Sequence, residues 1–433
     1  MDPAPCTCRD AGALAHTAAE AVDQVVALVQ RHVRRTEAAR HVADYLRGLL
    51  AAIDRKNGWQ LAEHAGYAHP RGMQRVLARY AWDADAVRDA LQDHVVATLG
   101  DPDGVLVIDE TGFPKQGTKS VGVARQYCGT LGKIGNCQIG VFLGYASPQG
   151  HAAIDRALYL PQVWLADPAR CAQAGIPPET AMRTKPQLAL AMLERALDTG
   201  VAAAWVVGDE VYGSDGTLRR ALEARDQAYV LAVRANQALA SWPPYGPPGQ
   251  TTPAAVTPTA WTRLSCGDGA QGPRVSDWAW APLRPALHDG WVHALLLRRH
   301  PDRPADVAWF LVYTPQETGL AEIVRAAGTR WMIEEVFKLA KGQIGLDHYE
   351  VRSWQGWYRH ITLALVALAA VATAAKKGAS PAPRTSASPS LNCGACSSGS
   401  PGRSPGTPLR SSPGPAGGAP INALPRRPIS VVG

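Results

Sequence analysis

The sequence contains no apolar run of membrane-spanning length. Its longest such run, residues 361–375, has 15 residues, whereas a transmembrane helix needs about 20. The first residues lack a basic segment followed by an apolar one, so we expect no secretory leader. We therefore expect a cytoplasmic protein without membrane contact, in which residues 361–375 form a buried helix.

Cysteine is too scarce and too scattered to indicate a disulfide framework, with eight residues in a chain of 433. Cys6 and Cys8 form a CxC pair, and Cys393 and Cys396 form a CxxC pair. A zinc site built from these two pairs has no supporting intermediate spacing. This cysteine usage favours reduced thiols in a reducing compartment.

Excess positive charge is largely confined to the C-terminal tail. The chain has 44 Lys and Arg against 37 Asp and Glu, a net charge of +7. Residues 378–433 contain five Arg and no acid, which leaves 39 basic and 37 acidic residues, or +2, for the rest. A polybasic body is therefore excluded, and any nucleic-acid surface in it must be local. The tail also has 11 Pro and 9 Gly in 56 residues, a composition that predicts disorder.

Hydrophobic periodicity divides the chain into five segments. Residues 1–100 have helical spacing, 101–235 alternate short apolar strands with helices, and 236–315 are rich in Pro, Gly and strand-like runs. Helical spacing resumes at 316–377, before the tail at 378–433. The pattern predicts an α/β fold with a β-rich insertion, preceded by an all-helical N-terminal domain. The insertion contains six of the 13 Trp, at positions 242, 261, 278, 280, 291 and 309.

A pair of short helices is expected within the first segment, at residues 60–65 and 70–80, around a turn at Gly66. Two such helices are typical of a helix-turn-helix, and also of an ordinary helical hairpin. The spacing does not distinguish the two interpretations.

Two acids stand at the ends of apolar strands, Asp109 after VLVI and Asp209 after WVVG. Functional groups of open α/β sheets collect at such strand ends, although Asp is also a common turn residue there. A third acid, Glu334, lies in a helix. At about 100° per residue it shares one face with Arg330, Lys338 and Lys341, and Glu335 does not.

Three carboxylates from two strand ends and a helix suit divalent metal ions. Oxygen ligands with few nearby His or Cys favour two Mg²⁺ or Mn²⁺ ions over zinc. A solvated ion-pair face would also explain the charged stripe of this helix. His348 and His360 lie close together, but their spacing is no metal motif, and we expect them to be structural or to contact phosphate.

Three long blocks resemble insertion-sequence transposases of the DDE class, in the IS4-related superfamily and its IS701-like branch. They are DETGFPKQGTKSVGVARQYCGTLGKIGNCQIGVFLGY from Asp109, GDEVYG at 208–213, and RWMIEEVFKLAKGQIGLDHYEVRSWQGWYRHI from Arg330. The resemblance covers about residues 40–375.

This resemblance implies an RNase H-like catalytic core, divided between 101–235 and 316–377. Asp109 would lie on its first strand, Asp209 after its fourth, and Glu334 on a following helix, all three as catalytic residues and metal ligands. Arg330, Glu334 and Lys341 match the Tyr-x2-Arg-x3-Glu-x6-Lys signature of related transposases. The Tyr position is Ala327 here, which puts that residue's phosphate contact in doubt. In relatives, a Trp of the insertion can stack on a flipped base.

The implied substrate is double-stranded DNA, both the terminal inverted repeats and the target, bound by a homodimer that associates with the bacterial nucleoid. The helical N-terminal region would recognise the repeats. Water would first cleave the transposon end, and the resulting 3′-hydroxyl would then attack target DNA. The residues expected to contact DNA are Arg330, Lys341, Lys338, Lys115, Lys119, Arg125 and Lys133.

Two other functions fit the same residues, an RNase H-like nuclease without strand transfer and a non-catalytic DNA-binding remnant of a transposon. A glycosidase with paired carboxylates is disfavoured, because it would not need the Arg330, Glu334 and Lys341 stripe. The tail differs from that of relatives. An out-of-frame reading of a GC-rich gene would explain it, as would a tolerated disordered extension.

Overall fold

A mixed sheet of ten strands runs through the described part of the protein. The structure, a computed structural model, describes residues 8–237, 260–269, 272–285 and 290–379. Trp242, three of the paired cysteines (6, 393 and 396) and the tail from residue 380 lie outside these ranges. The described residues belong to one compact unit. A large mixed sheet with helices packed on it confirms the predicted α/β class.

Five helices precede the sheet, as the periodicity of the first segment predicts. The last of them begins where Asp83 accepts a hydrogen bond from the backbone N–H of Asp85 at 2.8 Å, which satisfies a donor that the first helical turn leaves unpaired. The helices are α1 (Cys8–Gln30), α2 (Thr36–Leu50), α3 (Gly58–His64), α4 (Arg71–Ala78) and α5 (Ala84–Leu99).

Helices α3 and α4 are the short pair expected around Gly66, whose φ of +76° is readily adopted by glycine. Met73, Val76 and Leu77 of α4 are buried, whereas its Arg71 and Arg75 are exposed. The pair therefore has a core face and a basic outer face, and its role as a DNA-reading motif stays a prediction.

The strand order is β2-β3-β1-β5-β6-β10-β9-β8-β7, with β4 paired to β3. Strand β1 pairs antiparallel with β3 and parallel with β5, and β5 pairs parallel with β6. The remaining neighbours are antiparallel. The strands are β1 (Val105–Pro114), β2 (Ala124–Cys128), β3 (Lys133–Ser147), β4 (Gly150–Tyr159), β5 (Trp205–Gly208), β6 (Tyr229–Val233), β7 (Thr262–Gly269), β8 (Gly272–Pro285), β9 (Trp291–His300) and β10 (Arg303–Pro315).

The β-rich segment continues this sheet. Strand β10 pairs antiparallel with β6, from Trp309 opposite Val233 to Tyr313 opposite Tyr229. The expected strands near residues 275–281, 291–299 and 307–313 are present, and β7 adds one that the sequence did not predict. The β-rich segment is thus hydrogen-bonded, through β6, into the same sheet as β1 and β5, the strands that end at the two candidate aspartates.

Helices after β4 pack on the sheet and position its strand ends. Thr184 begins α8 with a reciprocal capping box to Gln187, and Pro186 suits the first turn of that helix. The helices are α6 (Gln162–Leu165), α7 (Pro168–Ala174), α8 (Lys185–Asp198), α9 (Glu210–Gly213), α10 (Gly216–Glu223), α11 (Leu320–Thr329), α12 (Trp331–Leu339) and α13 (Trp354–Ala379).

Helix α13 is the buried helix that the apolar run predicts, and it is longer than that run. Every residue from Ile361 to Ala370 is buried, and the helix packs against α1, α5 and β4. By length and composition it is the one described helix that could cross a membrane, with 61% of its apolar window buried inside the protein. Such burial is typical of a core helix.

A fully buried carboxylate, Asp155 on β4, joins the N-terminal helices to the sheet. Arg195 of α8 donates to its Oδ2 at 3.1 and 2.8 Å, and Arg88 of α5 lies 3.4 Å from its Oδ1. The neighbouring Arg156 donates to Thr362 of α13 at 2.8 Å. A buried carboxylate with several arginines holds these elements in one arrangement, because unpairing any member leaves a charge in a low-dielectric site.

We expect Asp155→Ala to reduce the free energy of unfolding by about 3–5 kcal/mol, since it removes the fully buried carboxylate that Arg88, Arg156 and Arg195 share. Urea titration measures this loss. The matched control is Asp198→Ala, which removes a 61% exposed carboxylate from its ion pair with Arg225 and should cost less than about 1 kcal/mol. Equal losses in the two variants would contradict the role assigned to Asp155.

Candidate active site

The parallel pairing of β1 and β5 places Asp109 and Asp209 side by side. Ile108 is opposite Gly208 in the register of these strands, so the next residue of each strand is an aspartate at the same edge of the sheet. Neighbouring strands lie about 4.8 Å apart. An added Cβ at Gly208 would lie only 3.0 Å from the Ile108 side chain. A residue larger than glycine would therefore crowd Ile108 at this point of the strand pair.

Each aspartate is fixed by a local backbone hydrogen bond. Asp109 accepts from the N–H of Glu110 at 2.7 Å, and Asp209 accepts from the N–H of Val211 at 2.9 Å. The second bond caps the first turn of α9. Local backbone hydrogen bonds alone therefore fix the positions of both carboxylates.

Burial makes the ionised form of both aspartates unfavourable. Desolvation raises the pKa of Asp109 to about 7, with Arg330 opposing the shift and Asp209 adding to it. Burial, followed by the charge of Glu110, also raises the pKa of Asp209. Two partly desolvated carboxylates of like charge are a poor arrangement for stability alone, and such arrangements concentrate at functional sites.

Arg330 connects the aspartates to the helix that carries Glu334. Its guanidinium lies 3.4 Å from Asp109 Oδ2 and 3.1 Å from Glu334 Oε1, and it stands at the junction of α11 and α12. Glu334 is 52% exposed on the cleft side, whereas the charge of Glu335 acts on His151 of β4. The structure thus joins Asp109, Asp209, Arg330 and Glu334 in one neighbourhood.

The donor set consists of carboxylate oxygens, which hard divalent cations prefer. Within the described ranges no three His, Cys, Asp or Glu side chains converge closely enough to hold a metal ion. The Arg330 guanidinium stands between Asp109 and Glu334 and pairs with both. The two aspartates fit a divalent cation by chemistry and position, and Glu334 would join them only by turning from Arg330.

Lys341 lies beyond α12, in a π-helical turn at Ala340–Ile344. Its Nζ donates to Thr111 Oγ1 at 2.7 Å, Gly112 O at 2.9 Å and Thr130 Oγ1 at 3.0 Å, and burial lowers its pKa. Lys341 therefore reaches strand β1 two and three residues after Asp109. Lys338, on the same predicted stripe, is exposed.

The other four predicted DNA contacts have different settings. Lys115 lies 3.7 Å from the centre of the Tyr349 ring, and burial lowers its pKa to about 8. Lys119, Arg125 and Lys133 are exposed on the segment between β1 and β3. Lys115 thus has a structural partner in the core, whereas the other three can meet an anion directly.

The two histidines are structural. His360 is fully buried. Its Nδ1 forms a 2.8 Å hydrogen bond with Tyr45 Oη, and its Nε2 lies 3.2 Å from Gly345 O. Burial lowers the pKa of His360 to about 3. His348 accepts from the backbone N–H of Lys56 at 3.2 Å.

A cleft of about 1000 Å³ opens beside the acids. The β-rich segment and α11–α12 form its walls, and its mixture of cationic and aromatic side chains suits a ligand with phosphates and flat rings. Among the insertion Trp with described side chains, Trp309 lines it, while Trp278 is fully buried and Trp291 stacks on Tyr313 at 4.5 Å. The principal lining groups are Asp209, Glu210, Arg234, Arg274, Arg298, Trp309, Arg330, Trp331 and Glu334.

Sequence reasoning missed the groups that hold Glu110. Lys185 Nζ lies 2.5 Å from Glu110 Oε1, and the buried Tyr212 donates its hydroxyl to Oε2 at 2.6 Å. Because strand side chains alternate, Glu110 points away from Asp109 and onto α8 and α9. The only sequence signal was the repeat of an Asp-Glu pair at both strand ends, 109–110 and 209–210.

A sequence profile of the DDE superfamily endonucleases matches residues 29–287, well over half of the chain. The chain belongs to the DDE superfamily endonuclease family. The matched range contains Asp109 and Asp209 and ends before Glu334. The resemblance to insertion-sequence DDE transposases is thereby confirmed, and members of this family generally use divalent metal ions.

One curated relative is a protein of Microchaete diplosiphon described as "Probable transposase for insertion sequence element IS701". It is 29% identical over 195 residues, which are 44% of this chain and 47% of the relative. The match thus spans about half the length of that protein.

We expect Asp109→Asn to stabilise the metal-free protein, and the gain to grow with pH. The folded-state pKa of about 7 lies above the ordinary 3.8, so wild-type stability falls as pH rises through that window. Asn is neutral at every pH, so it avoids the cost of burying a charged carboxylate. The gain should reach at most about 4 kcal/mol near pH 8 and about 1.6 kcal/mol near pH 5.

Urea titration in a chelating buffer at both pH values measures this difference. Glu334→Gln, which removes a 52% exposed carboxylate, is the control and should change stability by less than about 1 kcal/mol. A gain that is the same at both pH values, or a loss at pH 8, would contradict the buried-carboxylate account of Asp109.

Proposed function

We propose that this protein is a DNA transposase that cleaves transposon ends and joins them to target DNA. The observation that carries the proposal is the side-by-side placement of Asp109 and Asp209 at the ends of parallel strands, in a member of the DDE endonuclease family. Arg330 and Glu334 on the adjacent helix add the remaining groups of the signature. The relative described as a probable transposase supports the same assignment.

We further propose that β1, β3, β4, β5 and β6 are an RNase H-like core. Its support is the order β4-β3-β1-β5-β6, in which three antiparallel-paired strands are followed by two parallel ones. Apart from the short β2, β5 is the fourth strand of the sheet, and in such a core Asp209 would therefore follow the fourth strand. The β-rich strands β7–β10 would then extend this core at its β6 edge.

Asp109, Asp209 and Glu334 would hold the metal ions, which we propose are two Mg²⁺ or Mn²⁺. When bound, such ions lower the pKa of a water molecule and offset charge on the attacking and leaving oxygens of an in-line displacement. Arg330 would release Glu334 and bind a phosphate oxygen instead, since a guanidinium accommodates phosphate as readily as carboxylate. Lys341 would keep β1 and Asp109 in position and face the same phosphate group.

In the first reaction, water attacks a phosphodiester at the transposon end, and the broken P–O bond leaves a 3′-hydroxyl. In the second, that hydroxyl attacks a target phosphodiester, so one P–O bond forms as another breaks. The cleft would receive the DNA strand, with Arg298, Arg274 and Arg234 on its phosphates and Trp309 against a base. Lys338, Lys119, Arg125 and Lys133 are exposed and would contact the surrounding duplex.

The helices of residues 1–100 would bind the terminal inverted repeats, supported by the exposed arginines of α4. A homodimer would then hold both ends, because two ends must meet before joining. Its site of action would be the bacterial cytoplasm, on nucleoid DNA. Two alternatives share the fold: a nuclease without strand transfer, and a remnant that binds ends without cutting. The three acids and their basic neighbours favour an active enzyme over the remnant.

We expect Asp109→Asn, Asp209→Asn and Glu334→Gln each to reduce Mg²⁺-dependent cleavage of end DNA by about three orders of magnitude, since each removes a group worth several kcal/mol to the transition state. DNA binding in Ca²⁺ should persist. The substrate is a labelled duplex that carries the element end found beside the gene, and joining to a plasmid is scored in the same reactions.

Glu335→Gln is the matched control, because it removes the adjacent carboxylate of the same helix and should keep cleavage within about threefold of wild type. Wild-type cleavage without joining would favour the nuclease. Binding without cleavage would favour the remnant, and undiminished cleavage by Asp109→Asn would reject the assignment.

A further inference from the structure

The hairpin formed by β2 and β3 has an apolar tip that is open to solvent. Tyr127, Leu131 and Ile134 are 62%, 41% and 59% exposed, three of the seven large apolar side chains that stand exposed in the described ranges. Exposed clusters of this kind mark interaction sites more often than isolated exposed residues do. The hairpin has no use in the chemistry assigned to the acids.

Two of these side chains form one surface. Tyr127 is directly opposite Ile134 in the antiparallel register, and Arg125, two residues before Tyr127, lies on the same face. Leu131 lies in the connecting turn, where its Cδ1 would be 2.8 Å from a Cβ added at Gly135. Because strand side chains alternate, the Cβ direction of Gly135 faces away from Ile134, so Leu131 lies on the other face of the hairpin. The tip thus presents an aromatic and an aliphatic group beside a guanidinium on one face, and Leu131 on the other.

The base of the hairpin is firmly held, so the tip has a fixed position. Cys128, Cys137 and Ile139 form a small buried cluster with Tyr159. Asn136 donates to the carbonyls of Lys115 and Gly117 at 2.7 and 3.0 Å. Because its base is rigid, the tip would keep its position when it presses against a binding partner.

The same hairpin is attached to the candidate active site. Thr130 donates to Gly112 O at 3.0 Å, and Lys341 donates to Thr130 at 3.0 Å. Gly112 is three residues after Asp109 on β1, a distance of roughly 10 Å along an extended strand. The turn of the hairpin therefore lies within a few base-pair steps of any DNA strand held at the acids.

Charge identifies the partner. No acidic residue occurs between Glu110 and Asp155, a stretch that contains Lys115, Lys119, Arg125 and Lys133. The last three are exposed. An apolar tip on a segment whose charged residues are all cations suits a polyanion with a hydrophobic interior, which describes duplex DNA and its stacked bases.

We propose that the β2–β3 hairpin is a wedge that unstacks DNA bases next to the scissile phosphate. Its apolar side chains, Tyr127, Leu131 and Ile134, would lie against the bases. Its cations, Arg125, Lys119 and Lys133, would bind the flanking phosphates. Proteins that insert apolar side chains between base steps open and bend the duplex in this way. This inference rests on the proposed function. It adds a strand-opening role to a segment outside the carboxylate site.

The test combines the double variant Tyr127→Ser/Ile134→Ser with two DNA duplexes, one fully paired and one mismatched beside the cleavage position. A 2-aminopurine base at that position reports unstacking by its fluorescence in Ca²⁺. We expect wild type to raise the fluorescence and the variant to lose most of that rise. The variant should cleave paired DNA about tenfold more slowly or worse, and mismatched DNA within about threefold of wild type.

Val163→Ser is the control, because it removes a 56% exposed apolar side chain outside the hairpin and should behave as wild type on both duplexes. Equal thermal unfolding midpoints for the variants exclude a folding defect, which exposed positions are not expected to produce. Arg125→Gln should instead weaken binding to both duplexes alike, as loss of a phosphate contact does.

Three results overturn the wedge. The first is that the variant cleaves both duplexes at wild-type rates, and the second is that wild type leaves the fluorescence unchanged. The third is that the variant is a monomer where wild type is a dimer, while unstacking stays normal. That third result would assign the tip to contact with a second copy of this chain. In each of these cases the proposed function survives. Failure of wild type to cleave either duplex would reject the proposed function itself and the wedge with it.

Discussion

Two like-charged, partly buried carboxylates side by side are the constraint on which this protein's candidate site depends. The parallel register of β1 and β5 forces the contact, since Ile108 opposite Gly208 puts Asp109 and Asp209 at one edge of the sheet. Desolvation raises the pKa of both, with the charge of Asp209 adding to the shift of Asp109 and the charge of Glu110 adding to that of Asp209. The pair is therefore stable in ionised form only beside positive charge. The structure supplies Arg330 at 3.4 Å, and the family's use of divalent ions supplies a second source.

The surrounding elements are arranged to place that charge. Arg330 stands where α11 passes into α12, and Arg274 of β8 donates to Gly328 O at 3.2 Å at the end of α11. The β-rich strands therefore help to fix the helix that carries Glu334, besides forming one wall of the cleft. On the opposite side of the sheet, Lys185 and Tyr212 hold Glu110 in place, and its charge adds to the upward pKa shift of both aspartates.

Local pattern predicted the strand ends, the short helix pair and the buried helix α13, because each depends on residues close in sequence. The choice of Glu334 over Glu335 also followed from helical geometry. Contacts between distant segments could not be predicted: Lys185 and Tyr212 are 75 and 102 residues from Glu110, and the pairing of β10 with β6 leaves no periodic signal. The π-helical turn interrupts the 3.6-residue period, so a helical wheel could not show that Lys341 reaches Thr111 and Gly112.

Electron paramagnetic resonance of Mn²⁺ tests the central claim, that Asp109 and Asp209 together form a cation site. Free Mn²⁺ gives a strong signal that weakens on binding, so titration of the DNA-free protein counts the sites without any catalytic assay. The account predicts binding by wild type, and a loss of affinity of at least about tenfold when either aspartate becomes Asn, because each ligand carries full charge at the ion. Unchanged Mn²⁺ binding in the double variant Asp109→Asn/Asp209→Asn would contradict it.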